Sequence, residues 1–316
     1  MDALYNAAKP RVVAIGGPTA TGKTALSVAL AKRFGGEIIS ADSMQIYQGL
    51  DVGTAKVTPE EMQGVPHHLV GFLAPEQAFS VADFTTLAGK TITQLTAQGK
   101  LPLVVGGTGL YITSLLNGIG FTPEKVDPAI RQELQARLQA EGSQALYAEL
   151  AAVDPGYAAK VHPNNTPRVI RALELYRATG RKMSAEREAA RPAEKPYRSL
   201  CLCLTCRDRT LLYQRIDTRC DRMMQSGILE EAKQVYDHRD TYRTAAQAIG
   251  YKEFFPYFEG TADLESCLAH LKQASRNYAK RQLTWFRRQN EAVWLYLDEE
   301  DVTARACALV REFLQQ

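Results

Sequence analysis

Residues 17–24 read Gly17-Pro18-Thr19-Ala20-Thr21-Gly22-Lys23-Thr24, and no other stretch of the chain constrains its fold as tightly. The pattern G-x-x-x-x-G-K-[ST] needs a strand before it and a helix after it. Its glycines let successive backbone N–H groups turn inward onto phosphate oxygens, and the helix N-terminus adds the positive end of its dipole. Both flanks are present. Val12, Val13, Ala14 and Ile15 form a short apolar run of the kind buried in parallel sheets, and it ends at Gly16-Gly17. From Thr24 to Phe34 apolar residues recur at helical spacing (Leu26, Leu30, Phe34) until Gly35-Gly36 stops the helix. A chance match to the motif in a chain this long is on the order of 1%. The loop therefore predicts phosphate or pyrophosphate binding, with Lys23 as a point charge and the Thr24 hydroxyl as a ligand for Mg²⁺. It does not by itself predict ATP hydrolysis.

The rest of the chain supplies the matching framework. Residues 37–40 and 101–105 are further strand candidates, and Ser80 to Gly99 reads as a helix capped by Ser80 with Asp83 in its first turn. Strand, helix, strand, helix, strand in this order predicts an α/β fold, a doubly wound parallel sheet carrying the phosphate loop. After about Gly118 the texture changes. Residues 127–180 are rich in Ala, Gln, Leu, Glu and Arg at helical periods and hold no convincing strand, which predicts an all-helical insertion domain. Residues 198–205 and 293–297 read as returning strands, and 207–236 and 262–290 as long helices. The expected division is 1–118, 119–195 and 196–316, with 186–196 the most linker-like stretch. Composition narrows the class. Formal net charge is only +3, so a nucleic-acid surface must come from local clusters of Lys and Arg. No apolar run approaches a membrane span, and residues 1–11 lack the apolar region of a secretory signal. The six cysteines all lie beyond residue 200, which suits reduced thiols in a cytoplasm.

A phosphate-loop kinase usually carries an acid at the end of the third strand to hold Mg²⁺ through water. Here that strand runs into Gly106-Gly107-Thr108-Gly109. The acid lies elsewhere, at Asp42, just past the second strand. The carboxyl ends of strands form the ligand crevice in such sheets, so Asp42 is expected to face the phosphate loop. The residues equally allow Asp42 and Ser43 to cap a local helix.

Taken together, several segments are recognisable in order. They are the phosphate loop, Asp42 to Tyr47, Asp51 to Lys56, Pro66-His67-His68-Leu69 and Gly106 to Tyr111, then Arg168 to Glu174, Gln247 to Lys252 and Tyr278 to Arg287. In this arrangement the chain resembles the tRNA dimethylallyltransferase (tRNA isopentenyltransferase) family along nearly its whole length. It ends without the C-terminal zinc-finger module of some eukaryotic members and so looks like the bacterial form.

The resemblance implies transfer of a dimethylallyl group from dimethylallyl diphosphate to N6 of adenosine 37, beside the anticodon of tRNAs reading codons that start with U. Pyrophosphate leaves and Mg²⁺ is required. On this reading Gly17 to Thr24 hold the donor diphosphate, and Asp42 is the general base on N6. Arg215 or Arg219 resembles the family's diphosphate-contacting arginine, and the residues leave the choice open. The implied tRNA contacts are Asp42, Ser43, Met44 and Gln45; Thr108; Thr166, Pro167, Arg168, Val169 and Ile170; and Gln247, Ala248, Ile249, Gly250, Tyr251 and Lys252. The chemistry suits these residue types. The exocyclic amine of adenine is a weak nucleophile, so a carboxylate that accepts its proton helps directly. Charge developing on the departing diphosphate is met by Lys23, loop N–H groups, an arginine and the metal ion. The target base must leave its stack, and single-stranded loops are read by base edges and by stacking, for which Tyr251 is a candidate platform.

Arg276, Lys280, Arg281, Arg287 and Arg288 add local basic density toward the end of the last long helix, and at helical spacing Arg276, Lys280 and Arg287 can share a face that suits RNA phosphates. Trp285 and Phe286 on the same helix read as core. The family usually shows Asn-Asp where this chain has Asn164-Asn165, so no carboxylate stands at that position, while Asn165 and Pro167 still suit a helix start. Cys201, Cys203 and Cys206 read as part of a buried strand rather than a zinc cluster, and His67 and His68 as neutral structural histidines. The expected partners are the tRNA anticodon stem-loop and dimethylallyl diphosphate, with no membrane, and the chain is read as a monomer. Three rival readings are a small-molecule kinase, a transferase acting on free AMP or ADP, and a non-enzymatic RNA-binding protein. The missing third-strand acid, the long helical insertion together with the basic C-terminal helix, and Asp42 beside the loop weigh against them in turn.

Overall fold

Strand β1 (Arg11–Gly16) carries Val12, Val13, Ala14 and Ile15 with no exposed surface. A strand covered on both faces needs no polar alternation, which is why its apolar run is continuous. A computed structural model describes residues 9–121, 127–190, 192, 194–289 and 291–316. Residues 1–8 of the amino-terminal stretch, 191 and 193 of the linker-like stretch and Asn290 at the end of the last expected helix lie outside the described residues.

Along the chain, β1 leads to α1 (Lys23–Phe34) and β2 (Gly36–Ser40), then to the short α2 (Pro59–Met62) and β3 (His67–His68). Next come α3 (Val81–Ala97), β4 (Leu101–Val105) and α4 (Gly109–Leu116). The insertion holds α5 (Pro128–Glu141), α6 (Ser143–Val153), α7 (Pro155–Ala158), α8 (Thr166–Thr179) and α9 (Met183–Ala189). The chain returns through β5 (Arg198–Thr205), α10 (Arg209–Gln225), α11 (Ile228–Asp237), α12 (Phe255–Phe258), α13 (Leu264–Phe286), β6 (Ala292–Tyr296) and α14 (Val302–Gln315). The six strands form one sheet in the order β3-β2-β4-β1-β5-β6, and every pairing is parallel. This is the expected doubly wound sheet.

Local signals account for the helix ends. Gly35 stops α1 in the left-handed region, and Ser80 with Asp83 makes a full capping box at α3. One face of the sheet packs Val13, Ile15 and Leu202 against Leu26 and Leu30 of α1 and Val310 of α14. The other packs Val12, Ala14 and Val104 with Phe84 of α3, Ile112 of α4 and Phe286 of α13. A further cluster joins Ile46, Tyr47 and Leu50 to α10, α11 and α13.

Two expectations need correction, and one strand was not expected. The single helix expected over 207–236 is two, α10 and α11, because Gly227 adopts φ 90° between them and turns the chain. The edge strand β3 carries no apolar alternation, and its two residues pair with Ile38 and Ile39 of β2. Asn165 stands at the N-cap of α8, but its side chain makes no capping bond.

The chain divides into two compact units, one running to Leu116 and resuming over Pro196–Gln316, the other Asn117–Lys195. The first boundary falls where α4 ends. The second unit has its own core of Leu134, Leu146, Leu150, Val169 and Leu173. Its buried Glu174 takes a two-toothed bond from Arg131 and another from Arg171. Among the described residues, no helix is long and apolar enough to cross a membrane.

Candidate active site

The phosphate loop is shaped by contacts that admit no side chain. A Cβ at Gly17, where φ is 128°, would lie 2.3 Å from the Leu204 carbonyl oxygen, and one at Gly16 would strike the Phe286 ring. Ala20 and Gly22 both take left-handed backbone (φ 64° and 78°) and turn the chain into the first turn of α1. Thr21 is wholly buried, and its hydroxyl donates to the Pro18 carbonyl at 2.9 Å. Lys23 folds back over the loop and donates to the carbonyls of Gly17 (3.1 Å) and Pro18 (2.7 Å). Thr24 follows in the first turn of α1, half-buried. That turn carries no acidic residue to compete with an incoming anion.

Asp42 is near enough to this loop for its charge to act on Lys23. The segment after β2 is tied to the segment after β4: the Ala41 N–H donates to Val105 O and the Thr108 N–H to Ala41 O. The Thr108 hydroxyl accepts from the Ser43 N–H at 3.1 Å. Asp42 Oδ1 accepts the N–H groups of Met44 (2.9 Å) and Gln45 (3.3 Å). No helix follows, so this is a local turn rather than a helix cap. Both bonds end on Oδ1, which leaves Oδ2 outside the turn. The helix-cap reading of Asp42 is thus replaced by a local turn held through Oδ1, and the charge of the same carboxylate acts on Lys23.

The electrostatics define the group. Burial pushes Lys23 down to about 8, and the like charge of Arg219 pushes the same way, while Asp42 partly restores it. Burial also lowers Arg219, again opposed by Asp42. Tyr278 of α13 is pushed up to about 12, by burial first and then by Asp42, with a hydrogen bond to Thr108 partly offsetting this. Asp42 is thus the common charge felt by Lys23, Arg219 and Tyr278. Arg215, one turn before Arg219, points its Nε at the Ala20 carbonyl (2.8 Å) and braces the loop from outside.

The position where a kinase would carry its third-strand acid is closed. A Cβ at Gly106 would lie 2.1 Å from Ala41 O, and one at Gly107 would lie 2.2 Å from Gln282 Nε2. Gln282 has no role in the sequence reading, yet it is buried and joins two walls of the site. Its Oε1 accepts the Thr19 N–H at 3.0 Å and its Nε2 donates to Gly107 O at 2.9 Å. The available signal is a polar residue on the apolar stripe of α13, between Ala279 and Phe286. Glu231 is a second residue the sequence did not mark. Its carboxylate accepts the N–H groups of Asp51, Val52 and Gly53 and the hydroxyl of Tyr251.

The expected RNA contacts fare unevenly. Tyr251 is wholly buried, so the expected stacking platform is instead part of the core that fixes the 51–53 loop. Val169 and Ile170 face inward in the core of the second unit because the amphipathic α8 turns them there, while Pro167 and Arg168 are exposed and Thr166 is half-buried. The Gln45 side-chain amide is spent on the carbonyls of Thr54 and Ala55. Met44 packs on the helical core. Gln247 and Lys252 are exposed, Ala248 is buried, Ile249 is half-buried, and the Gly250 N–H donates to Glu253. On α13, Arg276 is paired with Asp217 at 2.6 Å, while the exposed Lys280 and Arg281 lie over the rings of Tyr213 and Tyr278. Phe286 is core as expected, and half-buried Trp285 donates its indole N–H to Thr113. His68 bonds Glu37, and His67 bonds the Val65 carbonyl.

A family model described as IPP transferase matches residues 45–289, and one described as isopentenyl transferase matches residues 10–70. A tRNA dimethylallyltransferase of Bacillus subtilis is 50% identical over 92% of this chain and 91% of its own length. One from Halalkalibacterium halodurans is 46% identical, over 93% of each chain. Among solved structures, a full-length tRNA isopentenylpyrophosphate transferase from Bacillus halodurans superposes with a TM-score of 0.72 at 44% identity, covering 97% of both chains. A eukaryotic dimethylallyltransferase acting on tRNA reaches a TM-score of 0.81 at 32% identity, covering 96% of this chain and 79% of that one.

Proposed function

The chain belongs to the tRNA dimethylallyltransferase family, and from that premise we propose that it moves the dimethylallyl group of dimethylallyl diphosphate onto N6 of adenosine 37 in tRNAs that read codons beginning with U. The observation that carries this reading is a single carboxylate, Asp42, electrostatically coupled to the phosphate-loop Lys23, with β4 running into Gly106, where a Cβ would lie 2.1 Å from the Ala41 carbonyl oxygen. In the reaction the N6–C1 bond forms and the C1–O bond to diphosphate breaks. The electron pair leaves with pyrophosphate and the N6 proton passes to Asp42. The loop N–H groups, Lys23 and Arg219 stabilise the departing anion. Arg219 is the better candidate of the two arginines, because Arg215 is engaged with the loop backbone.

Mg²⁺ fits this donor set. Among the described residues no cluster of three or more His, Cys, Asp or Glu could cage a metal ion, and Mg²⁺ characteristically takes one or two protein oxygens with the rest from substrate phosphates and water. The Thr24 hydroxyl would hold it beside the diphosphate. When bound, it supplies charge neutralisation of the leaving group. The acceptor is the anticodon stem-loop, contacted by the surface of Ser43, Thr108, Gln247 and Lys252, by the exposed face of α13, and by the helical unit through Arg168. The protein works as a monomer in the cytoplasm.

The test is direct. Protein, Mg²⁺ and dimethylallyl diphosphate are incubated with an unmodified anticodon stem-loop bearing an A36-A37-A38 run. The mass increment is then mapped to one nucleotide. A dimethylallyl increment on A37 is expected. Transfer to AMP but not to this RNA would reassign the chain to free-nucleotide chemistry.

A further inference from the structure

We propose that Gln282 is a positioning residue for the donor, setting the phosphate loop in its diphosphate-binding shape from the RNA-facing helix α13. The inference rests on the reading of that loop as the donor site. Gln282 is 5% exposed, and its amide is oriented by two opposite demands. Oε1 accepts from Thr19 N, at the tip of the loop, and Nε2 donates to Gly107 O, at the turn after β4. Flipping the amide would set two donors, and two acceptors, face to face, so its orientation is fixed by its partners. The loop bond matters because Thr19 directly follows Pro18, whose carbonyl accepts both the Thr21 hydroxyl and the Lys23 ammonium. Gln282, Thr19, Pro18 and Lys23 therefore form one continuous chain of contacts. Its far end is the positive charge that meets the anion.

Gly107 reports on the same brace from the other side. A methyl group there would lie 2.2 Å from Gln282 Nε2, and the nearest other atom after the Gln282 amide carbon is Gly17 O at 3.9 Å. The only object in the way is the amide itself. The brace also sits on the helix that presents Lys280 and Arg281 one turn or less away, so the element facing RNA and the element holding the donor share one buried side chain.

The experiment uses Q282M, which keeps volume but neither hydrogen bond, Q282E, which keeps an acceptor for Thr19 N but no donor for Gly107 O, and G107A, which displaces the amide without altering it. Melting temperature, pyrophosphate binding by calorimetry with Mg²⁺, and separate KM values for dimethylallyl diphosphate and RNA are measured for each. Loss of about tenfold in pyrophosphate affinity is expected for Q282M and G107A, in line with a lost buried hydrogen bond. Donor KM should rise with it, while RNA KM stays within about twofold of wild type. Q282E should be weaker still, because its charge lies beside the anion. Should Q282M fail to fold, Q282E and G107A carry the test. Unchanged pyrophosphate affinity in folded variants would overturn the proposal, as would a fall in kcat with no separation of the two KM values. A wild-type protein that binds pyrophosphate but prenylates no RNA would sink the proposed reaction and leave this inference standing. Absence of pyrophosphate binding by wild type would overturn both.

Discussion

Lys23 loses its proton near pH 8 in the donor-free protein because burial and Arg219 both disfavour its charge. A diphosphate restores the preference for the ammonium form. The sign follows: below pH 8 the charge is present before binding, and above it each binding event must take up a proton. Affinity for dimethylallyl diphosphate should therefore fall as pH rises through about 8, approaching tenfold per pH unit if Lys23 is the one linked group. Calorimetry in two buffers of different ionisation heat should show that uptake at pH 9, and flat affinity from pH 7 to 9.5 would remove Lys23 from the donor site. Asp42 gives a second residue-scale prediction. Asp42→Asn keeps an oxygen for the Met44 and Gln45 N–H groups, so the turn survives while the base is lost. Turnover should drop by about 10²- to 10⁴-fold with little change in RNA affinity. If affinity falls in parallel, Asp42 is chiefly a recognition residue.

Among the elements, α13 has the most to do. Its inner face packs Ala279, Leu283 and Phe286, and its outer face shows Lys280 and Arg281. Lys280→Ala should weaken RNA binding and reduce the slope of log affinity against log salt by about one, and an unaltered slope would place this face outside the interface. That Phe286 of α13 is core while Lys280 and Arg281 point outward is legible from 3.6-residue spacing, but the half-burial of Trp285 and the pairing of Arg276 with Asp217 are not. The break between α10 and α11 is not, because Gly227 interrupts an otherwise helical stretch that a glycine can equally occupy at modest cost. Its φ of 90° makes a prediction. Gly227→Ala should destabilise the protein by about 1–2 kcal/mol in chemical denaturation. β3 escapes a sequence reading for a different reason. Two histidines carry no pattern, and it is the open edge of β2 that makes them a strand.

At the level of the whole molecule, the helical unit has its own core, and Leu173 is wholly buried in it. Leu173→Ala should cost about 2–5 kcal/mol of that unit's stability. Pyrophosphate affinity, which the proposed function assigns to the loop of the parallel-sheet unit, should not change, and a parallel loss would show that the proposed donor loop depends on the helical core. The phosphate loop, its flanking strand and helix, the parallel order of the sheet and the helical character of the insertion are all encoded by neighbours in the chain. Glycine positions, apolar periods and caps act over a few residues, so they can be read there. The electrostatic grouping of Asp42, Lys23 and Arg219, Arg215 on the Ala20 carbonyl, Tyr251 withdrawn into the core and Gln282 bridging Thr19 to Gly107 are set by packing between segments up to 263 residues apart. Periodicity says which side of a helix is buried, but which buried polar atom meets which partner depends on where distant backbones come to rest.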